Sequence, residues 1–440
     1  MKETVAIIGG GGRESALVHA YAKSPHVNKI IAIPGNDFMQ QTTDKIVQTF
    51  PTISTTDIPS IMQICDENHA GLVDIAQDAA VEAGVSNVLQ RKGISVIGPT
   101  KQAGQLEWDK AWSRNFMQNN AISHPSFQIC QTPKQGYEYL AQQPEQGWVI
   151  KANGLAEGKG VIITENSAQA LRAIEEMKRF GKAGEQFLIE QLLVGEEFST
   201  YAISDGNSWK LIGSAQDHKR VNNFDIGLNT GGMGCSTPPL ILTPELIKQV
   251  QTQIIAKTFE GMQKIGRPYT GILYLGGMVI HQQTTDQPFV IEFNARWGDP
   301  EAQIIVPSLI NDFFELGLAV AKGELHTIKL STDQKSRVVV AGTSRGYPED
   351  YSQVRGKEIF GLKEAQQMEG VTVYGAGVKR SEDRYYADGG RLFYIVGEGI
   401  TVIEAREKAY EAMSLISIEG NNLHYRTDIG WRDVERLRHK

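Results

Sequence analysis

In the first hundred positions, apolar runs alternate with amphipathic stretches, and each change of period falls beside a glycine or proline. Residues 4–8 read as a buried strand, 9–12 as a turn and 14–23 as a helix. A second strand over 29–33 is ended by Pro34-Gly35-Asn36. A helix over 58–68 and strands over 72–76 and 94–97 follow. This βαβ rhythm predicts a parallel sheet with helices on both faces.

After Thr100 the texture changes. Residues 106–119 carry the spacing of one amphipathic helix. Residues 148–151 and 161–164 read as two strands joined by the glycine-rich loop 153–160. A helix over 167–179 and strands over 186–190 and 197–204 come next, and then a glycine-rich loop at 229–234. A helix from 244 to 265 leads to strands over 271–280 and 289–294 and a helix beyond Glu301. The last segment holds strands over 337–342, 371–376 and 391–396 and a helix over 400–413. A mixed α/β chain of about three domains is expected at 440 residues.

Composition narrows the class. A formal charge of −7 argues against a nucleic-acid binder, which carries a basic stripe. Cys65, Cys130 and Cys235 make no metal or disulfide spacing, so a reducing, cytoplasmic setting is expected. No apolar run approaches the ~18 residues of a membrane span.

Two glycine-rich loops invite phosphate chemistry. Gly10-x-Gly12-x-x-Ser15 follows a strand and opens a helix, where anions bind. It lacks the third small residue of a dinucleotide fingerprint, and no acid ends the second strand, so NAD is not expected. A phosphosugar cradle and a plain tight turn both remain open. Gly154-Leu155-Ala156-Glu157-Gly158-Lys159-Gly160 is one residue short of a P-loop and is followed by a strand rather than a helix. It reads either as a flap over a polyphosphate or as a hairpin tip.

Alternation carries the strongest chemistry. In Phe289-Val290-Ile291-Glu292-Phe293-Asn294-Ala295-Arg296 the period of two puts Glu292, Asn294 and Arg296 on one face. A carboxylate beside an amide oxygen suits Mg²⁺, and a guanidinium suits a phosphoryl oxygen. Lys151 emerges from the apolar Val149-Ile150 wall toward an α- or β-phosphate. Lys110, one helix away, is weaker. An adenine fits against Leu192 and Leu193, with Glu197 accepting from ribose hydroxyls. The polar segment 216–220 includes His218, which is either a weak general base or a structural histidine.

Taken together these motifs resemble the phosphoribosylamine–glycine ligase (glycinamide ribonucleotide synthetase) family of the ATP-grasp superfamily. The resemblance rests on Gly11-Gly12-Arg13-Glu14, Pro34-Gly35-Asn36, Gly98-Pro99-Thr100 and the 154–160 loop. It also rests on 216–220, 229–234, Tyr269-Thr270-Gly271, 291–296, 298–301 and Asp428-Ile429-Gly430-Trp431-Arg432. It implies a Rossmann-like domain over 1–103, an ATP-grasp domain over 104–328 with a lid at about 123–194, and a small α+β domain over 329–440.

The implied reaction joins glycine to 5-phosphoribosylamine in purine biosynthesis. ATP is split to ADP and phosphate through a glycyl phosphate, with Mg²⁺ or Mn²⁺. Lys110, Lys151, Gly158, Lys159, Gly160, Glu190, Gln191, Leu192, Leu193 and Glu197 would hold ATP, and Glu292 and Asn294 the metal. Arg296, Asp217 and Lys219 would be catalytic. Gly11, Gly12, Asn36, Asp78, Gly298 and Asp299 would meet the other substrates. The expected partners are small molecules only, with no nucleic acid and no membrane, and the expected state is a monomer.

Departures from the family pattern cluster in the first domain. Ser15 stands for His, Asp37-Phe38 for Ala-Gly and Gln77-Asp78 for Pro-Glu; nearer ATP, residues 106–110 replace a Gly-Ser-Lys ending and Asn153 stands for Asp. They leave open a ligase for another amino acid and phosphorylated amine, or a catalytically silent paralogue.

Overall fold

The computed structural model describes residues 3–156, 160–281 and 285–438. Five parallel strands form the first sheet, in the order Ile46–Thr49, Val27–Pro34, Glu3–Gly9, Ala70–Ile75, Ser95–Ile97. Helices cover such a sheet on both faces, which is why the inner strands carry buried apolar runs such as residues 5–8 and 30–33. The carboxyl ends of the three inner strands bring residues 9–12, 34–36 and 76–78 to one edge of the sheet. The first helix, Gly12–Lys23, starts there.

The helix expected over residues 106–119 is in fact two, Lys101–Trp108 and Lys110–Asn119. Asp109 sits between them in extended backbone (φ −126°, ψ 91°) and its carboxylate accepts from the Trp112 N–H at 2.9 Å. An aspartate cap restarts the helix without disturbing the apolar spacing, so periodicity does not reveal the break. The helix from Pro244 is continuous to Lys264, but Val250–Ile255 is a π-turn within it. The helix after Glu301 is a single turn, Ala302–Ile305.

A small antiparallel sheet follows, in the order Phe127–Cys130, Phe187–Gln191, Trp148–Ala152, Val161–Thr164. It packs on its own core, which includes Trp148, Ile150, Ile174 and Phe187. The largest sheet has nine described strands, all paired antiparallel. Asp286–Asn294 lies at one end, beside Thr270–His281 and Glu196–Asp205. Trp209–Asp217 and Gly234–Thr237 then connect it to Ser336–Ser344, Arg391–Gly399 and Val371–Gly375. The C-terminal region has a separate apolar cluster around Val338, Val340 and Phe393, yet shares this sheet with the strand that carries Glu292.

Candidate active site

A cavity of about 650 Å³ lies between the small sheet, the large sheet and the edge of the first domain. One wall is the end of Asp286–Asn294. Gly276 pairs with Glu292 and Gly277 with Val290, so Ile291 is an extra residue, a β-bulge. Its carbonyl instead accepts from Arg114 Nη2 at 2.6 Å and Lys151 Nζ at 3.2 Å. Beyond the bulge, Glu292, Asn294 and Arg296 all line the cavity. Arg296 Nη2 donates to Asn294 Oδ1 at 3.1 Å, and Asn294 Nδ2 lies 3.5 Å from Glu292 Oε1.

Burial alone would raise the Glu292 carboxyl, but the ammonium groups of Lys219, Lys151 and Lys110 outweigh it and hold the group below its ordinary value. An ionised carboxylate beside an amide oxygen is a donor set that fits a hard divalent cation.

Lys151 is held by a buried cluster. Its ammonium lies 2.8 Å from Glu190 Oε2, and Arg114 grips both Glu190 oxygens at 2.6 and 2.9 Å. Burial would raise Glu190, yet Arg114 and Lys151 pull it down to about 2. Glu190 therefore orients Lys151 as well as lining the cavity. Arg114→Met would strand part of a buried charge network, and an urea melt should show a loss of about 3 kcal/mol. A wild-type midpoint would show that the network contributes nothing.

Lys110 Nζ donates to the Gly154 carbonyl at 3.0 Å, tying the helix after the break to the start of the glycine-rich loop. Gly160 lines the cavity, as do Gln191, Leu192, Leu193 and Glu197. Gly158 and Lys159 lie outside the described residues. Lys219 pairs with Glu197 at 3.1 Å, and its ammonium is raised despite burial by Glu197 and Glu292.

Asp217 ends the Trp209–Asp217 strand, part-buried, with its Oδ1 atom buried and unpartnered. Glu301 Oε1 and the Tyr201 hydroxyl are also buried without partners. Gly298 separates these groups: a Cβ there would fall 2.1 Å from the Tyr201 hydroxyl and 2.5 Å from Glu301 Oε2. Buried polar atoms left unpaired at one wall indicate a polar ligand group. Asp299 lines the cavity with its carboxylate used by Arg391 Nη2 at 3.0 Å and Gln303 Nε2 at 2.6 Å.

Gly11, Gly12, Asn36 and Gly298 are not brought to the cavity lining, whereas Asp78 is. The Gly11 N–H donates to Glu14 Oε2 at 2.6 Å, so the helix N-terminus is occupied by the chain's own carboxylate. A Cβ on Gly12 would strike Tyr394 at 2.1 Å. Asn36 Nδ2 donates to the Gly10 and Gly375 carbonyls and to Ser15 Oγ, and its Oδ1 accepts from the Phe38 N–H. These residues build the edge of the domain. His218 is buried and accepts from the Gly430 N–H at 3.0 Å, which is a structural histidine's environment.

Arg114, Glu107, Tyr201 and Arg391 also line or abut the cavity, although sequence reasoning gave none of them a role, and Arg13 and Glu301, named there only within motifs, line it too. Their partners come from distant segments, and no local spacing marks them. A second cleft of about 590 Å³ lies near His19, Lys23 and Tyr374, where Arg337 is matched by Asp333 and Glu398.

Three family domains match the chain in order. The phosphoribosylglycinamide synthetase N domain matches residues 3–107, its ATP-grasp (A) domain 108–302, and its C domain 337–432. The chain is 38% identical over 439 residues to the phosphoribosylamine–glycine ligase of Caulobacter vibrioides, covering 99% of each. It is 37% identical over 441 residues to the trifunctional purine biosynthetic protein adenosine-3 of Bos taurus, covering 99% of this chain but 42% of that protein. The crystal structure of phosphoribosylamine–glycine ligase from Thermotoga maritima is similar at a TM-score of 0.81 and 29% identity, covering 97% of this chain and 100% of that one.

Fold and cavity together define an ATP-grasp carboxylate–amine ligase. More narrowly, the chain belongs to the phosphoribosylglycinamide synthetase family, whose relatives carry the name phosphoribosylamine–glycine ligase.

Proposed function

We propose that the chain joins glycine to 5-phosphoribosylamine, forming glycinamide ribonucleotide, ADP and phosphate in purine biosynthesis. The observation that carries this reading is the meeting of Lys110, Lys151 and Lys219 with Glu292, Asn294 and Arg296 around one cavity. A carboxylate is a poor electrophile, because its charge is delocalised and oxide is a poor leaving group. Transfer of the γ-phosphoryl group to a glycine oxygen makes a glycyl phosphate. Attack by the amine then forms the C–N bond, releases phosphate and sheds one proton.

The adenine packs on Leu192 and Leu193, and Lys151 and Lys110 hold the phosphates. Glu292 and Asn294 would hold Mg²⁺, or Mn²⁺ in its place. When bound, the ion supplies charge neutralisation at the phosphoryl oxygens. Asp217 and Glu301 receive the glycine ammonium, and Arg296 turns toward its carboxylate. The small sheet at about 123–194 closes over the cavity and excludes water from the acyl phosphate. Asp78 meets the amine substrate, beside Gln77 and Arg13. The departures from the family pattern are largely absorbed by packing: Ser15 donates to the Gly375 carbonyl at 2.6 Å and Phe38 is buried against Tyr385.

The domain limits 1–103, 104–328 and 329–440 fit this division of labour. Three buried, unpaired cysteines fit a reducing cytoplasm, and we take the working form to be the monomer. The test is ADP release with glycine and freshly made phosphoribosylamine. Turnover dependent on both is expected. Turnover only with another amine would replace the substrate, and none with any amine would sink the reading.

A further inference from the structure

Glu107 lies at the junction of the matched N and A domains, in the last turn of Lys101–Trp108. Its side chain is 7% exposed and faces the cavity. Oε1 lies 2.8 Å from Arg296 Nη2, and Oε2 accepts from the Ala295 N–H at 2.7 Å. One carboxylate thus fixes both the guanidinium and the backbone that carries it.

The remaining contacts of Arg296 point the same way. Nη2 also donates to Asn294 Oδ1, and Nη1 donates to the Trp297 carbonyl at 3.0 Å. No acceptor for Nε–H is found among the described residues. The guanidinium is clamped along one side and free to donate on another. Asp78 is the other carboxylate near it, at 4.0 Å, and is more exposed at 33%. An arginine that must meet a carboxylate oxygen in one orientation requires such a brace, because its long side chain otherwise samples many rotamers.

We propose that Glu107 is a positioning residue: its carboxylate holds Arg296 in the orientation that presents the free edge of the guanidinium to glycine and its acyl phosphate. The inference rests on the ligase reading above. It does not require Glu107 to touch any substrate. Burial raises this carboxyl to about 7, opposed by Arg296, the Ala295 N–H and Arg13, with Asp78 adding to the rise. Lys110 and Tyr269 complete the charged and titratable groups coupled to it. Protonation would release the brace, so the orientation of Arg296 depends on pH near neutrality.

The test compares wild type with Glu107→Gln and Glu107→Asp, all as full-length enzyme. Exchange of the β,γ-bridge oxygen of ATP in the presence of glycine, without amine, reports the first half-reaction. Glu107→Gln is expected to slow this exchange and kcat about tenfold or more, with KM for ATP within about twofold. Wild-type kcat should fall as pH drops through about 7, while the Gln variant should be low and flat there. Glu107→Asp should recover part of both the rate and the acid limb, and it serves if the Gln variant does not fold. Wild-type exchange matched by the Gln variant, or an unchanged acid limb in it, would overturn the positioning role. Absence of ADP release dependent on glycine and amine in wild type would instead overturn the ligase reading.

Discussion

Glu292→Ala is expected to lower kcat for ADP release by about 100-fold or more at saturating ATP and glycine, even with excess Mg²⁺. The reason is electrostatic as much as coordinative. Glu292 is the carboxylate that Lys110, Lys151 and Lys219 converge on. Its removal leaves Lys151 and Lys219 with Glu190 and Glu197 as their counter-charges and takes away one oxygen donor for the cation. Glu292→Gln keeps an oxygen without the charge and should fall between Ala and wild type. Because the folded carboxyl is held below its ordinary value, its contribution is present above the unfolded value and is lost only as pH falls through the depressed one. An acid limb near neutrality therefore belongs to another group. Wild-type turnover by the Ala variant would remove Glu292 from the site.

That three-residue face was legible because strand alternation is local. The bulge at Ile291 falls just before Glu292, so the period of two from Glu292 to Arg296 survives it. The first sheet was legible for a related reason: fully buried parallel strands are apolar runs bounded by glycine and proline. The reading weakened where a side chain, rather than a period, decides the backbone. Asp109 interrupts a continuous amphipathic pattern by capping, and nothing in the spacing separates that from one long helix.

Within the polar segment 216–220, Gln216 and Asp217 end the strand Trp209–Asp217, whose burial follows no period of two.

The residues that brace the site were hidden for a different reason. Arg114 meets Glu190 across 76 positions, and Glu107 meets the Ala295 backbone across 188. A buried ion pair of that kind leaves no trace in either local sequence, since each member reads as a solvated helix or strand-end charge. The glycine loop failed in the opposite sense. Gly9–Gly12 has the composition of an anion cradle, but Glu14 folds back and fills it, accepting from Gly11, Arg13 and Gln77. Composition identified the donors, and only the fold shows that they are already used.

Asp217→Asn is expected to raise KM for glycine about 100-fold while leaving KM for ATP within about twofold, since breaking a buried charge contact costs about 3 kcal/mol. Asp217 Oδ1 and Glu301 Oε1 are both buried at one wall without a partner, and the Tyr201 hydroxyl is equally unpaired. The Glu301 charge opposes ionisation of Asp217, and a small cation relieves that repulsion. Burial, with Glu301 adding to it, pushes the Asp217 carboxyl well above its ordinary value. The glycine ammonium favours the ionised form, so binding expels a proton, and affinity must rise with pH while the ammonium stays charged. KM for glycine should therefore fall as pH rises in wild type and lose that slope in the Asn variant. The close approach of Gly298 to Tyr201 and Glu301 leaves the wall no slack to retreat from a bulkier ligand, so alanine should remain a poor substrate for both proteins. A pH-independent wild-type KM, or equal losses of glycine and ATP affinity in the variant, would place the ammonium elsewhere.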